Sequence, residues 1–562
     1  MNHDRPVIVQ SDKTIFLEVA SPSFEEARDQ IGAFAELIKC PEHIHTYRIS
    51  PLSLWNASSA GMKSHQVLDV LRRYSRYPIP ANVETDVVEY MARFGRLVLV
   101  EDKGGLALRS DDALLLEEVC RQKTIASYVA DRLDAHTVRV GGDYRGRLKQ
   151  QLIKLGYPVK DLAGYVPGAP LSVQLRTVAR DGHPFSLRGY QTAAASAFYR
   201  DGGREGGSGV VVLPCGAGKT MVGLGVMAAM QTHTLILVTN VVALRQWRRE
   251  ILNKTMVDKD LVCEYSGEVK DIGPITVATY QILTYRKRKS DEFPHLAIFS
   301  ARDWGLIIYD EVHLLPAPVF RITAEIQARR RLGLTATLVR EDHLEEDVFS
   351  LIGPKCFDVP WKVLENQGWI ASAECHEVRV PFPSAERRRY VVAPSRAQFR
   401  IASENSWKLP VAEEILRRHQ GSRTLVIGQY LTQLRQIAAE LGCPIITGST
   451  PNKTREELYD KFREGTLTTL VVSKVANFAV DLPEAHVAIQ ISGTFGSRQE
   501  EAQRLGRILR PKSDGATAHF YSLVTRDSSE TEFGQKRQLF LTEQGYKYHL
   551  ESADAYVPDL AA

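Results

Sequence analysis

Residues 211–226, VVLPCGAGKTMVGLGV, place a run of apolar residues directly before a glycine-rich turn and a second apolar segment. A strand that ends in this turn and opens a helix points backbone N–H groups at one place, where the helix N-terminus also favours negative charge. A lysine there can reach β- and γ-phosphates, and a threonine hydroxyl can hold Mg²⁺. The stretch therefore predicts a phosphate-binding loop for ATP with Mg²⁺. Its candidate ligands are Gly216, Gly218, Lys219 and Thr220.

The loop has the shorter G-x-G-K-T form, because Leu213 stands where the longer pattern has its first glycine. Alone, such a stretch could be an ordinary glycine-rich turn. Support comes from the later apolar run GLIIY, which delivers Asp310-Glu311-Val312-His313. Asp310 at a strand end suits Mg²⁺, and Glu311 suits a base that orients the attacking water. A helix N-cap is the alternative for such a carboxylate pair, and a preceding phosphate loop disfavours it.

Short β-branched runs alternate with amphipathic segments from about residue 210 onward, which predicts parallel sheets covered by helices. The first series of predicted strands is VVVLP, TLILVT, ITVATY, GLIIYDE and RLGLTAT. The second series is TLVIGQY, PIITG, TTLVVSK, HVAIQIS and AHFYSLV. Residues 361–410 interrupt this rhythm with prolines and basic residues, and we interpret them as a linker or inserted subdomain. The pattern favours two α/β lobes in tandem.

A basic helix is predicted near the end of the chain, in QEEAQRLGRILRPK. Arg507 and Arg510 are three residues apart and so share a helix face. Guanidinium groups suit a transferring phosphoryl group, so arginines from one lobe facing a phosphate loop on the other would make hydrolysis depend on lobe closure. An ordinary solvated basic helix is the alternative.

The set GAGKT, DEVH, TAT, SKVANFAVDLPEA and QRLGRILR resembles the motifs of the superfamily-two helicases, over residues 185 to about 525. Within that superfamily the chain resembles the XPB-like DNA translocases. Arg340-Glu341-Asp342 stand where those proteins carry a charged triplet called the RED motif, and the segment from Arg387 to Arg400 corresponds to their thumb. The resemblance implies a 3′–5′ DNA motor that acts in repair, such as nucleotide excision repair, or in transcription-linked DNA opening.

The resemblance also extends the set of candidate site residues. Gln191 and Gln503 are expected at the nucleotide, although a lone glutamine is usually a surface residue. The residues expected to couple the nucleotide site to nucleic acid are His313, Thr335, Thr337, Arg340, Glu341, Asp342 and Asp481. Relatives often have Gly-Asp where this chain has Ala476-Asn477, so neither of these two residues receives a role.

Translocases grip the sugar–phosphate backbone through hydroxyl, amide and basic groups. Such groups follow predicted strands in both lobes and are interleaved with aromatic residues in the thumb-like segment. The candidates are Arg245, Thr279, Gln429, Ser473, Lys474, Arg388, Arg389 and Tyr390. For the basic residues, a solvated surface is the alternative.

The predicted architecture is an α/β fold with two tandem RecA-like parallel-sheet lobes, an α+β amino-terminal accessory region and a small thumb-like insert. Four domains are expected. They are an XPB-like amino-terminal domain (1–100), a damage-recognition-like domain (101–180), helicase lobe one (181–362), and helicase lobe two (363–562) with the insert at about 380–408.

The charge balance is nearly even, with 71 Lys and Arg against 67 Asp and Glu, so local patches would have to bind any nucleic acid. The seven cysteines form no C-x-x-C pair, which argues against a zinc ribbon, an iron–sulfur cluster or a disulfide scaffold. The amino terminus is polar and no long apolar run follows, so we expect a soluble, cytoplasmic protein, nucleoid-associated if prokaryotic, that does not bind membranes. The sequence leaves the oligomeric state open, with a monomer favoured.

The sequence thus predicts an ATP-dependent DNA helicase or translocase with DNA, single-stranded or duplex, as its partner. An RNA helicase of the same fold is one alternative, because nothing in the motifs reads a 2′-hydroxyl. Another alternative is an ATP-switched DNA-binding scaffold that recruits a nuclease without unwinding, for which the amino-terminal third of the chain would be suited.

Overall fold

The computed structural model describes most of the chain. The described residues are 5–39, 43–102, 105–141, 144–203, 205–214, 216–288, 293–326, 329–336, 345–359, 364, 367–369, 373–473, 485–492, 517–543, 546–558 and 560. They form two compact units. The first unit comprises residues 1–36, 46–214 and 218–359, and the second comprises residues 37–45, 215–217 and 360–562.

The amino-terminal region begins with a small sheet of strand order β1-β2-β4-β3 and four helices. Its elements are β1 (Val7–Val9), β2 (Thr14–Glu18), α1 (Phe24–Ile31), β3 (Glu36–Lys39), β4 (Ile44–Arg48), α2 (Pro51–Ser59), α3 (Ser64–Tyr74) and α4 (Ala81–Arg93). The helix starts follow local chemistry. At α2, for example, the Ser50 hydroxyl accepts from the backbone N–H of Ser53, and Pro51 needs no partner at the first helical position.

A second sheet follows, with strand order β7-β8-β6-β5-β9. Its elements are β5 (Val98–Asp102), β6 (Gly105–Arg109), α5 (Ala113–Arg121), α6 (Lys123–Ala126), β7 (Val129–Asp134), β8 (Thr137–Val140), α7 (Arg145–Lys154) and β9 (Lys160–Leu162). Leucine and valine side chains such as Leu99, Leu116 and Leu148 form its core. Helix α7 also carries Arg145 and Lys149, which contact the buried carboxylate of Asp161.

The first RecA-like lobe is a seven-stranded parallel sheet of order β12-β13-β11-β14-β15-β10-β16. Its elements are α8 (Gly189–Tyr199), β10 (Ser208–Val212), α9 (Lys219–Met230), β11 (Thr234–Val238), α10 (Val241–Lys254), β12 (Val262–Tyr265), β13 (Ile275–Thr279), α11 (Tyr280–Leu283), β14 (Leu306–Asp310), α12 (Ala317–Glu325), β15 (Arg330–Thr335), α13 (Glu345–Leu351) and β16 (Lys355–Asp358). Its central strands are buried on both faces, which explains their continuous apolar sequences.

The second lobe is another seven-stranded parallel sheet, of order β19-β20-β18-β21-β22-β17-β23. Its elements are β17 (Ala373–Val380), α14 (Ser384–Val392), α15 (Ser395–Ser403), α16 (Lys408–Arg418), β18 (Thr424–Gly428), α17 (Leu431–Glu440), β19 (Ile445–Ile446), α18 (Asn452–Glu464), β20 (Thr469–Ser473), β21 (Val487–Gln490), β22 (Ala518–Thr525), α19 (Ser529–Glu543) and β23 (Lys547–Ser552). Counted from the first strand of each lobe, the spatial order is third, fourth, second, fifth, sixth, first, seventh in both lobes.

The predicted fold class is confirmed, since each of the ten predicted strands has a counterpart in one of two parallel sheets. The interpretation of residues 361–410 as a break in the sheet pattern was wrong for residues 373–380, which form strand β17 in the interior of the second sheet. The segment AECHEVRV carries charged and histidine side chains between its apolar residues, so it lacks the apolar run that marks the other strands. Among the described residues, every helix is too short or too polar to cross a bilayer.

Candidate active site

The phosphate loop connects β10 to α9 and depends on two glycines. Gly216 and Gly218 have φ angles of 81° and 80°, in the left-handed region where side chains are strained. A Cβ atom on Gly218 would lie 2.6 Å from Nε2 of Gln191, so any side chain there would also displace that amide. Helix α9 begins at Lys219, which places the N-terminal end of the helix and the Lys219 ammonium beside the loop.

Strand β14 delivers the predicted carboxylate pair to the same edge of the sheet, because parallel strands β10, β15 and β14 end together there. Asp310 is the last residue of β14, and Glu311 follows with φ 51° and ψ 55°, a left-handed conformation that is costly for a residue with a side chain. The backbone N–H of Glu311 donates to Oδ1 of Asp310 (3.1 Å). Nζ of Lys219 lies 3.0 Å from Oε1 of Glu311. The strained turn therefore aims the Glu311 carboxylate at the phosphate loop.

Asp310 is held by two aromatic side chains from neighbouring elements. The indole Nε1 of Trp247, on α10, donates to Oδ2 of Asp310 (2.8 Å), and the hydroxyl of Tyr280 donates to its carbonyl (3.0 Å). Burial, followed by the negative charge of Glu311, raises the pKa of Asp310 to about 6, while the Trp247 hydrogen bond acts in the opposite direction. Trp247 is buried in the core, and it also fixes a carboxylate, a role that only its position across the sheet reveals.

A chain of polar contacts leads from the phosphate loop to strand β15. Nδ1 of His313 lies 3.6 Å from Oε2 of Glu311 and 2.6 Å from the hydroxyl of Thr335, the last residue of β15. His313 and Thr335 are both buried. The predicted coupling residues His313 and Thr335 are therefore brought together with Glu311 and Lys219 in one connected set.

Gln191 lies next to the phosphate loop, and its amide oxygen already accepts a hydrogen bond from within the protein. It accepts from the backbone N–H of Arg188 (3.0 Å) and so closes the start of helix α8. The side chain is 3% exposed, and its Nε2 faces Gly218. Its expected contact with the nucleotide stays a prediction.

The chemistry of these groups fits a nucleotide with a divalent cation. The strained glycine loop, the helix N-terminus and Lys219 form a cradle for phosphate oxygens. The half-buried Thr220 lies in the first turn of α9, and Asp310 offers the carboxylate oxygens that Mg²⁺ prefers.

The two nucleic-acid candidates in lobe one occupy different environments. Arg245 is exposed and pairs with exposed Glu268 (3.1 Å). Thr279 is 1% exposed, and its hydroxyl accepts from the backbone N–H of Ile282, which caps helix α11. Arg245 is thus accessible to a partner, whereas Thr279 is occupied by a structural contact.

The two described candidates in lobe two follow β18 and end β20, respectively, at the carboxyl edge of that sheet. The backbone N–H of Gln429 donates to the hydroxyl of Ser492 (2.7 Å). Ser473 is 2% exposed. Within the described part of the chain, Oε1 of Gln429 and the hydroxyl of Ser473 are buried without a hydrogen-bond partner. Two orphaned polar groups at one sheet edge suit the contact with a polar ligand that the sequence predicted.

The predicted insert forms a pair of helices, α14 and α15. Arg388 and Arg389 are exposed on α14, as are the apolar Val391 and Val392. The hydroxyl of Tyr390 instead accepts from the backbone N–H of Ser529 and so ties α14 to the start of α19. The arginines are free to meet a phosphate backbone, and the tyrosine is positioned as an anchor.

The remaining predicted site residues lie outside the described residues. They are Thr337, Arg340, Glu341, Asp342, Lys474, Asp481, Gln503, Arg507 and Arg510. Their roles stay predictions, and so do the four domain boundaries.

Fold and site together define a helicase-type P-loop enzyme with two RecA-like lobes. Three protein-family models match the chain, described as "ERCC3/RAD25/XPB C-terminal helicase" (residues 364–559), "Type III restriction enzyme, res subunit" (184–340) and "Helicase conserved C-terminal domain" (7–134). The first of these covers the second lobe, and the second covers the phosphate loop and the Asp310-Glu311 pair.

Comparison with curated relatives identifies the family within this class of enzyme. The chain is 56% identical to the DNA 3′-5′ helicase XPB of Mycobacterium tuberculosis, over 98% of both chains. It is 55% identical to the protein of the same name from Kineococcus radiotolerans, over 98% of this chain and 97% of the relative. It is 34% identical to the XPB subunit of general transcription and DNA repair factor IIH from Antonospora locustae, over 98% of this chain and 82% of the relative. The chain belongs to the XPB family of superfamily-two helicases.

Proposed function

We propose that this chain is an ATP-driven DNA motor that moves 3′ to 5′ and separates strands during DNA repair or transcription-linked DNA opening. The observation that carries the proposal is the connected set Lys219, Glu311, His313 and Thr335, which links a phosphate loop to the end of a neighbouring strand. The relatives named as DNA helicases support DNA as the track.

In the proposed mechanism, ATP brings a reactive phosphoanhydride and Mg²⁺ screens its charge. Thr220 and Asp310 would hold the metal, and Lys219 would bind phosphate. In the structure, the Lys219 ammonium pairs with the Glu311 carboxylate. If the ammonium moved to bind phosphate oxygens instead, the Glu311 carboxylate would be released to orient and deprotonate water. The arrangement thus makes the base available when nucleotide is present.

Release of the Glu311 carboxylate from Lys219 would also alter the contacts of His313. Its Nδ1 faces both the Glu311 carboxylate and the Thr335 hydroxyl, so a move of Glu311 changes the hydrogen bond at the end of β15. Thr335 directly precedes the segment with Thr337 and the Arg340-Glu341-Asp342 triplet, which the sequence predicts to couple hydrolysis to nucleic acid. This is how the nucleotide would control the grip on DNA.

The test is ATP hydrolysis at fixed salt without nucleic acid and with single-stranded DNA, duplex DNA or RNA, together with strand separation on tailed duplexes of both polarities. We expect DNA to stimulate hydrolysis above RNA and the duplex with a 3′ tail to be separated. Stimulation by RNA alone would identify an RNA helicase. Hydrolysis with no strand separation would favour the scaffold that recruits a nuclease. A nuclease partner, a monomeric state and a cytoplasmic, nucleoid-associated location stay predictions.

Substitution Trp247→Phe is expected to shift the pH dependence of ATP hydrolysis. Asp310 must be ionised to serve the metal, so kcat/KM should fall as the pH drops through its pKa of about 6. Losing a charge-assisted donor worth about 1.5–3 kcal/mol raises that pKa and moves the acid limb of the pH profile upward by about one to two pH units. The measurement is the pH profile of kcat/KM for ATP.

Trp304→Phe is the matched control for this experiment, because Trp304 is equally buried and its Nε1 donates to the carbonyl of Ile298 (2.8 Å), away from Asp310. It should leave the acid limb in place. If the acid limb of the pH profile lies at the same pH in the wild type and in Trp247→Phe, the indole contributes packing only and does not affect the pKa of Asp310.

The double substitution Arg388→Ala and Arg389→Ala is expected to weaken DNA binding at low salt. Each lost phosphate contact should reduce the slope of log affinity against log salt by about one. Binding titrations at several salt concentrations measure this slope. Arg417→Ala is the control, since Arg417 is also exposed but pairs with Glu414 (2.7 Å) on α16. A slope unchanged by the double substitution would leave these arginines as solvated surface.

A further inference from the structure

One face of the second sheet carries a cluster of histidine and carboxylate side chains at the amino ends of its strands. In the β17–β22 pair, Glu374 lies directly opposite His519. His376 follows Glu374 by two residues and so projects from the same face of β17. The register of two neighbouring strands therefore brings these three side chains together.

The donor atoms of this cluster converge on one point. Nε2 of His376 lies 3.4 Å from Nδ1 of His519, and Oε2 of Glu374 lies 3.9 Å and 3.8 Å from those two nitrogens, respectively. A point equidistant from the three atoms is about 2.1 Å from each, which matches the usual Zn–N and Zn–O bond lengths. Two histidines and one glutamate are also a common ligand set for zinc and other transition metals.

A further carboxylate orients one of these histidines. Nδ1 of His376 lies 2.7 Å from Oε1 of Glu551, on the neighbouring strand β23. An ionised carboxylate can only accept, so the Nδ1 proton of His376 points at Glu551 and its Nε2 presents a lone pair to the cluster. A carboxylate on the far nitrogen of a histidine ligand is the arrangement that fixes the tautomer in metal sites.

The rings of the cluster are held in place by stacking. His376 lies between Tyr521 and His549, at centroid distances of 4.6 and 5.2 Å, and the Tyr521 hydroxyl lies 2.8 Å from Nε2 of His419. The side chains of Glu374, His376 and His519 nevertheless remain 33%, 11% and 27% exposed. The cluster is thus preorganised and still open to an ion from solvent.

We propose that Glu374, His376 and His519 bind one divalent transition-metal ion, with Zn²⁺ as the preferred ion. Glu551 is the positioning residue for His376. The site lies at the amino ends of the strands, whereas Gln429 and Ser473 lie at the carboxyl edge of the same sheet. The metal would join strand β22 to β17, and β23 would be linked to it only through the contact of Glu551 with His376, so the expected effect is on the stability of this sheet and is independent of the proposed ATP chemistry.

The experiment measures zinc binding to the full-length protein after removal of metals with a chelator, in buffer with excess Mg²⁺ and no nucleotide. Competition with a chromophoric chelator gives affinity and stoichiometry, and Co²⁺ absorption reports the ligand field. We expect about one Zn²⁺ per chain, with a rise in melting temperature. Substituting both His376 and His519 by Asn should abolish this binding, and Glu551→Gln should weaken it by about 10–100-fold.

His183→Asn is the control for loss of a histidine, because His183 is exposed in the segment that precedes α8. Glu374→Gln tests the site even if the double variant fails to fold, because it replaces one ligand at a half-exposed position. It should weaken zinc binding and change the Co²⁺ spectrum. Absence of zinc from the wild type would overturn the proposal. So would a double variant, or Glu374→Gln, that binds zinc as tightly as His183→Asn.

Discussion

Glu311→Gln is expected to lower DNA-stimulated ATP hydrolysis by roughly 10²–10⁴-fold, the usual contribution of a general base. Glutamine keeps the shape of the side chain but cannot accept a proton from water. Nucleotide affinity should remain or increase, because the variant loses the ion pair that holds Lys219 at 3.0 Å in the structure. Single-turnover hydrolysis and equilibrium binding of a fluorescent ATP analogue separate these two effects.

Glu205→Gln is the control for this substitution. Glu205 is an exposed glutamate that precedes β10 and pairs with Lys160 on the surface (2.6 Å), so its replacement should leave hydrolysis unchanged. A loss below about tenfold in Glu311→Gln would exclude Glu311 as the base. A parallel loss of nucleotide binding would indicate that Glu311 mainly supports the turn in which it lies.

Asp161→Asn is expected to reduce the free energy of unfolding by about 3–5 kcal/mol, because it leaves two buried cations without their counter-charge. Arg145 donates to both oxygens of Asp161 (2.8 and 3.0 Å), and Nζ of Lys149 lies 3.0 Å from Oδ2. The three side chains are at most 9% exposed. Thermal unfolding of the full chain, with hydrogen exchange of residues 145–164, measures the loss and locates it.

The same cluster gives a pH dependence with a defined sign. Burial tends to raise the pKa of Asp161, but Lys149 and Arg145 hold it far below its ordinary value. A carboxyl group whose pKa is lowered by folding contributes stability above its unfolded pKa of about 3.9, and this contribution is lost as the pH falls below that value. The wild type should therefore lose stability in acid more steeply than Asp161→Asn.

Asp69→Asn provides the comparison, since Asp69 is 68% exposed and lies 3.9 Å from Arg72, a pair worth at most about 1 kcal/mol. Equal melting temperatures for the two variants would contradict the expected loss. Replacing all three residues of the buried cluster by apolar ones should recover part of the stability, because the charges of Arg145 and Lys149 are then removed together with that of Asp161.

The sequence predicted the lobes well where strands are buried on both faces. β11 reads TLILV and β14 reads LIIYD, so their apolar runs are visible without any partner. β17 was missed because its polar side chains, among them His376, meet partners on neighbouring strands rather than solvent. The sequence of one segment does not indicate which side chains of other strands will contact it.

The candidate site likewise has features that the sequence predicted and features that it did not. Lys219 and Glu311 were predicted from their positions after strands, since parallel strands end at a common edge. The indole contact of Trp247 with Asp310 and the hydroxyl of Thr279 inside a helix cap depend on tertiary packing and have no local sequence signal. Residue type predicted the chemistry, whereas the hydrogen-bond partners had to be found in space.

The shared strand order of the two lobes has a consequence for stoichiometry. β17 occupies in the second sheet the place that β10 occupies in the first, so the turn after β17 is the counterpart of the phosphate loop. That turn reads Pro381-Phe382-Pro383, and α14 then begins at Ser384 without a lysine or a left-handed glycine. Within the described residues, two lobes of the same topology thus provide one such cradle, and under the proposed function we expect one nucleotide to be bound and hydrolysed per chain in each cycle.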